Sequence, residues 1–153
     1  EHFTVGMDLI LWRHADAEDR IPDAERRLTA KGRKQARKMA DWLRRNLPAG
    51  WRVIASPAAR TCETAAELAA DFVIEPAVST ASNPQGLLKA AGWPDGGGVV
   101  VVVGHQPTLG AAAALALTGE VQPWNVKKGA IWWISRDDDG GVMVRAVLAP
   151  GIL

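Results

Sequence analysis

Four residues of this chain, Arg13, His14, Arg60 and His105, are of the types that bind and attack phosphoryl groups. The first two end the stretch Leu9-Ile10-Leu11-Trp12, four apolar residues that read as a buried strand, and an acidic, polar run follows them. In an open α/β sheet, ligands bind at that C-terminal edge. A neutral imidazole is a competent nucleophile toward phosphorus near neutral pH, provided its other ring nitrogen donates to a carbonyl or carboxylate. The adjacent guanidinium offers a planar donor fork for phosphoryl oxygens. A bare Arg-His pair discriminates poorly and equally suits the plain end of a strand, so the rest of the chain has to decide.

Arg60 and His105 each follow a second and third apolar run. Arg52-Val-Ile-Ala55 reads as a short strand, and Ser56-Pro57 as an N-cap followed by proline at the first helical position. Arg60 then sits in the first turn of a helix whose expected apolar stripe is Ala59, Cys62, Ala66 and Ala69. A cation there opposes the helix dipole, which makes sense if an anion lies between it and the free backbone amides. A salt bridge to Glu63 or Glu67 is the equal alternative. His105 follows Val99 to Val103, five valines that mark a central strand buried on both faces, and precedes an alanine-rich helix from Thr108 to Leu117 stopped by Thr118-Gly119. A buried structural histidine is the alternative there; after a pure valine strand, function is favoured.

The elements that must position these residues follow from the same pattern. Asp16 to Arg27 is polar, contains Ile21-Pro22-Asp23 and reads as a loop able to cover the site. Thr29 is the expected N-cap of a helix running to about Leu47, with Ala36, Met39, Ala40, Leu43 and Leu47 on one face. Phe72-Val-Ile74 reads as a short strand and Gln85 to Ala91 as a short helix; Gly129 to Ser135 and Val142 to Leu148 form a hairpin, with Trp132 and Trp133 on opposite faces. This alternation predicts an α/β fold, a three-layer α/β/α sandwich with a mostly parallel central sheet. Right-handed crossovers bring the C-terminal strand ends to one side, and so gather two arginines and two histidines into one phosphoryl pocket.

Composition bounds the rest. The chain has 153 residues, 48% hydrophobic and 23% charged, the balance of a single globular domain over 7–153. Residues 1–6 precede Met7 and are read as a remnant of expression or an upstream extension outside the fold. No apolar run approaches the ~20 residues of a membrane span, and the expected location is cytoplasmic. A single cysteine, Cys62, is read as a small buried apolar residue and excludes an internal disulfide. Setting His2 aside, two histidines remain without metal-ligand spacing, so no metal and no cofactor are expected. A net charge of +1 is too mild for nucleic acid. Lys31, Arg33, Lys34, Arg37, Lys38, Arg44 and Arg45 nevertheless crowd one segment, either a solvated helix face or a receiver for an acidic partner.

Four segments, Leu11-Trp12-Arg13-His14-Ala15, Leu28-Thr29-Ala30-Lys31-Gly32, Ser56-Pro57-Ala58-Ala59-Arg60 with Glu63-Thr64-Ala65, and Val103-Gly104-His105-Gln106-Pro107, occur in this order. Together they resemble the histidine phosphatase, or phosphoglycerate-mutase-like, superfamily, and within it the small SixA-type phosphohistidine phosphatases. The resemblance spans Met7 to about Leu148. It implies that His14 is transiently phosphorylated while Arg13, Arg60 and His105 hold the phosphoryl group. Two departures stand out. Ala15 replaces the family's usual glycine, and would be strained if that position needs φ > 0. Larger relatives place a glutamate after the third strand as general acid, yet Ser79 to Gln85 has no carboxylate; Asp16, Glu18 and Glu75 are the nearest candidates.

That gap bears on substrate. An alkoxide leaving group needs a proton, worth roughly 10²- to 10⁴-fold, whereas imidazole leaves far more easily. The leading expectation is therefore a phosphatase of phosphohistidine on a partner such as a histidine phosphotransfer domain or phosphocarrier, acting in signal transduction through phospho-His14. A phosphatase of small phosphoesters on the same fold and a non-catalytic phosphohistidine- or anion-binding module are the alternatives. Oligomeric state is left open.

Overall fold

The structure is a computed structural model in which residues 6–153 are described. Strand β1 (Met7–Arg13) leads through a loop to helix α1 (Ala30–Asn46), then β2 (Arg52–Ala55), α2 (Ala59–Leu68), β3 (Val73–Ile74), α3 (Pro84–Ala91), β4 (Gly98–Gly104), α4 (Thr108–Thr118) and the strands β5 (Ile131–Arg136) and β6 (Val142–Leu148). The strands form one sheet in the order β3-β2-β4-β1-β5-β6. β3, β2, β4 and β1 are mutually parallel, and β5 and β6 add an antiparallel hairpin. The mostly parallel sandwich expected from the alternation is what forms.

Side-chain alternation along the central strands builds two cores. Leu9, Leu11, Val100 and Val102 point to one face, where Leu87, Leu88, Leu109 and Ala113 of α3 and α4 cover them. Ile10, Trp12, Val99, Val101 and Val103 point to the other, against Met39, Leu43, Ala65 and Leu68 of α1 and α2. The valine run is therefore buried on both sides, as a parallel central strand must be. The two tryptophans of β5 divide likewise. Trp133 enters the α1/α2 core, while Trp132 stacks on Trp124 with ring centroids 5.5 Å apart.

α1 starts where Thr29 caps it: the Thr29 hydroxyl accepts the Gly32 N–H at 3.0 Å. On its basic surface Arg44 donates to the carbonyls of Glu67 and Leu68 at the end of α2, and Lys38 to those of Pro150 and Leu153. Lys31, Arg33, Lys34 and Arg37 face solvent.

Three expectations about local structure change. α2 begins at Ala59 with Ala58 as its N-cap, not at Ser56, because the Ser56 hydroxyl is drawn to His105. Its buried face is Arg60, Thr61, Thr64, Ala65 and Leu68, while Ala66 is exposed and Cys62 half-buried. Threonines can line that interior because their hydroxyls bond local carbonyls, Thr61 to Ser56 and Ala58 and Thr64 to Arg60. Of the segment set aside at the start, residues 1–5 lie outside the described residues. Gly6, by contrast, joins the structure, donating its N–H to the Asp138 carboxylate at 2.6 Å. Among the described residues no helix is long and apolar enough to cross a membrane.

Candidate functional site

Register brings the two histidines together. Arg13, the last residue of β1, pairs with Gly104, the last of β4, and His14 donates its N–H to the Gly104 carbonyl at 3.2 Å. The imidazoles of His14 and His105 thus emerge side by side, with ring centroids 5.5 Å apart. β2 ends alongside, Ala55 against Val103, so Ser56 and the start of α2 close the third side. β1 feeds α1 on one face of the sheet and β4 feeds α4 on the other, which opens a crevice at that switch of direction.

Each side chain is fixed from behind. His14, 5% exposed, has Nδ1 2.8 Å from the Ala15 carbonyl oxygen. A carbonyl only accepts, so Nδ1 carries the proton and the Nε2 lone pair faces the pocket. Burial dominates and pushes the His14 pKa down; the Ala15 carbonyl pulls it partly back, and the charges of Arg60, Arg13 and Arg26 lower it further, to about 4. His105, 4% exposed, has Nε2 2.7 Å from Ser56 Oγ and Nδ1 3.4 Å from Arg60 Nη2. The guanidinium can only donate, so Nδ1 accepts and Nε2–H donates to Ser56. Burial, then Arg60, lower the His105 pKa to about 3. Both rings are neutral at pH 7.

Arg13 donates from Nη1 to the Val126 carbonyl at 3.0 Å. Burial, then the charge of Arg60, lower its pKa. The Arg60 side chain is 5% exposed and turns into the pocket, away from Glu63 and Glu67. Glu63 instead accepts from the Leu28 N–H and from Arg27, tying the covering loop to α2. Arg60 reaches the loop carbonyl of Asp23 at 2.9 Å and its carboxylate at 3.0 Å. Arg13 Nε and Arg60 Nε are buried side-chain donors with no hydrogen-bond partner among the described residues. A buried guanidinium, Arg60, and a half-buried one, Arg13, each with a free buried Nε–H, beside two neutral imidazoles, make a site electrostatically suited to an oxyanion.

Ala15 carries no strain: no non-glycine residue among those described has positive φ, and its N–H donates to Thr64 Oγ1. The three carboxylates considered as acids are engaged elsewhere. Asp16 accepts from Thr29 Oγ1 at 2.7 Å and from Lys128 at 3.2 Å; the first of these bonds leads in holding its pKa below the usual carboxylate value. Glu18 accepts from the Arg27 N–H, and Glu75 caps the turn Pro76–Val78. Burial raises the Cys62 pKa, so that thiol stays protonated. Among the described residues no group of three or more His, Cys, Asp and Glu is placed to hold a metal ion.

Two residues of the site are not legible as such in the sequence: Ser56 reads as a helix cap, and Asp23 as an ordinary turn residue. The signal for Ser56 was its position directly after a strand that ends level with β4; for Asp23 there was none beyond its place in the covering loop.

The fold, the four converging side chains and the family model of histidine phosphatase superfamily branch 1, which matches residues 9–81, all point to the histidine phosphatase superfamily. Within it the similar solved structures include the protein histidine phosphatase SixA complexed with tungstate, 25% identical with a TM-score of 0.78 over 95% of this chain and 99% of that one. They also include the putative phosphohistidine phosphatase SixA from Nakamurella multipartitia, 26% identical with a TM-score of 0.76 over 97% of this chain and 99% of that one. The putative SixA from Agrobacterium tumefaciens is 25% identical, with a TM-score of 0.76 over 94% and 98%. No curated protein matches the sequence.

Proposed function

We propose that the protein is a phosphohistidine phosphatase acting on a phosphorylated histidine of a partner protein, with His14 carrying the phosphoryl group between two displacements. The observation that carries this reading is the His14 tautomer: Nδ1–H is held by the Ala15 carbonyl, which leaves Nε2 as a neutral nucleophile in a pocket that also holds both arginines. His14 Nε2 attacks phosphorus, and Arg13 and Arg60 match the charge on the phosphoryl oxygens, while His105, anchored through its Nε2–H on Ser56, accepts from Arg60 at Nδ1 and so orients that guanidinium. Water then attacks the phosphorus of phospho-His14, and the imidazole leaves with Nδ1–H still in place. The likeness to the SixA structures, one of them named a protein histidine phosphatase, supports a protein substrate.

The placement of Asp16, Glu18 and Glu75 favours a P–N bond over a phosphoester, since none of the three is bonded to a pocket residue. The test is to incubate the protein with phosphohistidine, a phosphohistidine protein and an aryl phosphate, and to trap the enzyme during turnover. An acid-labile, alkali-stable phosphoenzyme is expected, absent in His14→Ala along with turnover. Equal activity in the wild type and His14→Ala would sink the mechanism.

A further inference from the structure

In-line displacement sets the entering and leaving atoms on opposite sides of phosphorus. The nucleophile His14 lies at the buried floor, 5% exposed, so the leaving group must point outward to the mouth. Asp23 stands at that mouth. Its side chain is 61% exposed, and its Oδ2 lies 3.0 Å from Arg60 Nη2, the nitrogen that is also 3.4 Å from His105 Nδ1. Among the described residues it is the carboxylate hydrogen-bonded to a pocket arginine.

Taking the phosphohistidine reading as given, we propose that Asp23 contacts the leaving group: its carboxylate accepts the N–H on the distal nitrogen of the departing phosphoimidazole and so selects phosphoramidates over phosphoesters. A phosphoimidazole with a bare distal nitrogen must leave as imidazolate, a poor leaving group. With a proton there it leaves as neutral imidazole, and a carboxylate on that N–H favours the protonated form. Asp23 has room for this bond. A carboxylate offers about four lone-pair sites, and the bonds from Arg60 to Oδ2 and from Arg26 to Oδ1 occupy two.

The step balances. The His14 Nε2 lone pair forms the new N–P bond, the electron pair of the old P–N bond returns to the leaving ring, and that ring departs neutral with its distal N–H intact. Phospho-His14 repeats the arrangement, its own Nδ1–H resting on the Ala15 carbonyl. An aryl phosphate offers no such N–H. Its leaving oxygen gains negative charge, which a carboxylate at the mouth opposes.

The test is Asp23→Asn, with kcat/KM measured on free phosphohistidine and on an aryl phosphate, and folding checked by thermal melting. On phosphohistidine the expected loss is roughly 10- to 100-fold, the range for losing one charge-assisted hydrogen bond. On the aryl phosphate any loss, from the weakened hold on Arg60, should be much smaller, so that the ratio of kcat/KM on phosphohistidine to that on the aryl phosphate falls by roughly tenfold or more. Asp23→Ala should repeat the pattern. An equal fall on both substrates would reduce Asp23 to a support for Arg60, and a rise on both would make it a competing anion; either overturns the inference while the phosphoenzyme survives. A wild type that forms no phosphoenzyme and leaves phosphohistidine intact would overturn the parent reading as well.

Discussion

Gly32 lies in the first turn of α1, where replacing glycine with alanine in a helix ordinarily stabilises by about 1 kcal/mol. Here the expected sign is the opposite. A Cβ on Gly32 would stand 1.9 Å from the Asp16 carbonyl oxygen, against the 3.4 Å at which ordinary contact begins, so the two segments would have to part by about 1.5 Å. Asp16 cannot simply move aside, because Thr29 donates to it from both its N–H and its hydroxyl and Lys128 holds its other oxygen. The displacement therefore passes to Ala15 and His14. Overpacking of this kind costs about 1–3 kcal/mol; less the helix gain, Gly32→Ala should lose about 0–2 kcal/mol, a fall in Tm of up to about 8 °C at this chain length. Activity should suffer more, since misplacing a reacting group by about 1 Å costs on the order of 10² in rate. Thermal melts and kcat/KM on an aryl phosphate would be compared with Gly151→Ala, whose Cβ meets open space. A Gly32→Ala protein with a raised Tm and wild-type kcat/KM would refute the close approach and its link to His14.

Ser56→Ala deprives His105 Nε2–H of its acceptor; kcat/KM should fall roughly tenfold, and an unchanged value would remove Ser56 from the site. The acid limb of kcat/KM should lie near pH 4, the value to which burial brings His14, and not near the ordinary 6.5; a limb at 6.5 would contradict a buried neutral nucleophile. The unfolded chain protonates these two imidazoles at about 6.5, and the folded one only at about 4 and 3. Their contribution to stability is therefore fully present above pH 6.5 and is lost as pH falls from there toward 3, so melts across that window should show Tm falling with acid. Replacing exposed Lys31, Lys34 and Arg37 with glutamine should lower kcat/KM on an acidic phosphohistidine protein and flatten its salt dependence, with no effect on a small aryl phosphate. An equal change on both, or none, would leave that face a solvated surface.

Much of this architecture was written in local pattern. The unbroken apolar runs before Arg13 and His105 require strands buried on both faces, and Thr29 followed by apolar positions at helical spacing requires α1, because burial and capping act within a few residues of chain. Parallel crossovers of one hand then oblige the ends of β1, β2 and β4 to meet on one side, which is why the two histidines and Arg60 could be assigned to one pocket from sequence alone. Contacts set by no local preference were out of reach. Ser56 reads as a cap, since serine before proline usually is one, but the side-by-side pairing of Ala55 with Val103 gives its hydroxyl a histidine at 2.7 Å as well as the Ala58 N–H at 3.3 Å. The sequence offers Arg60 two carboxylates, Glu63 and Glu67, and the fold of a loop distant in sequence brings it a third, Asp23, instead. The tautomers of His14 and His105, their depressed pKa values and the proximity of Gly32 to Asp16 likewise depend on which backbone atoms come within about 3 Å across separate elements, and only tertiary packing decides that.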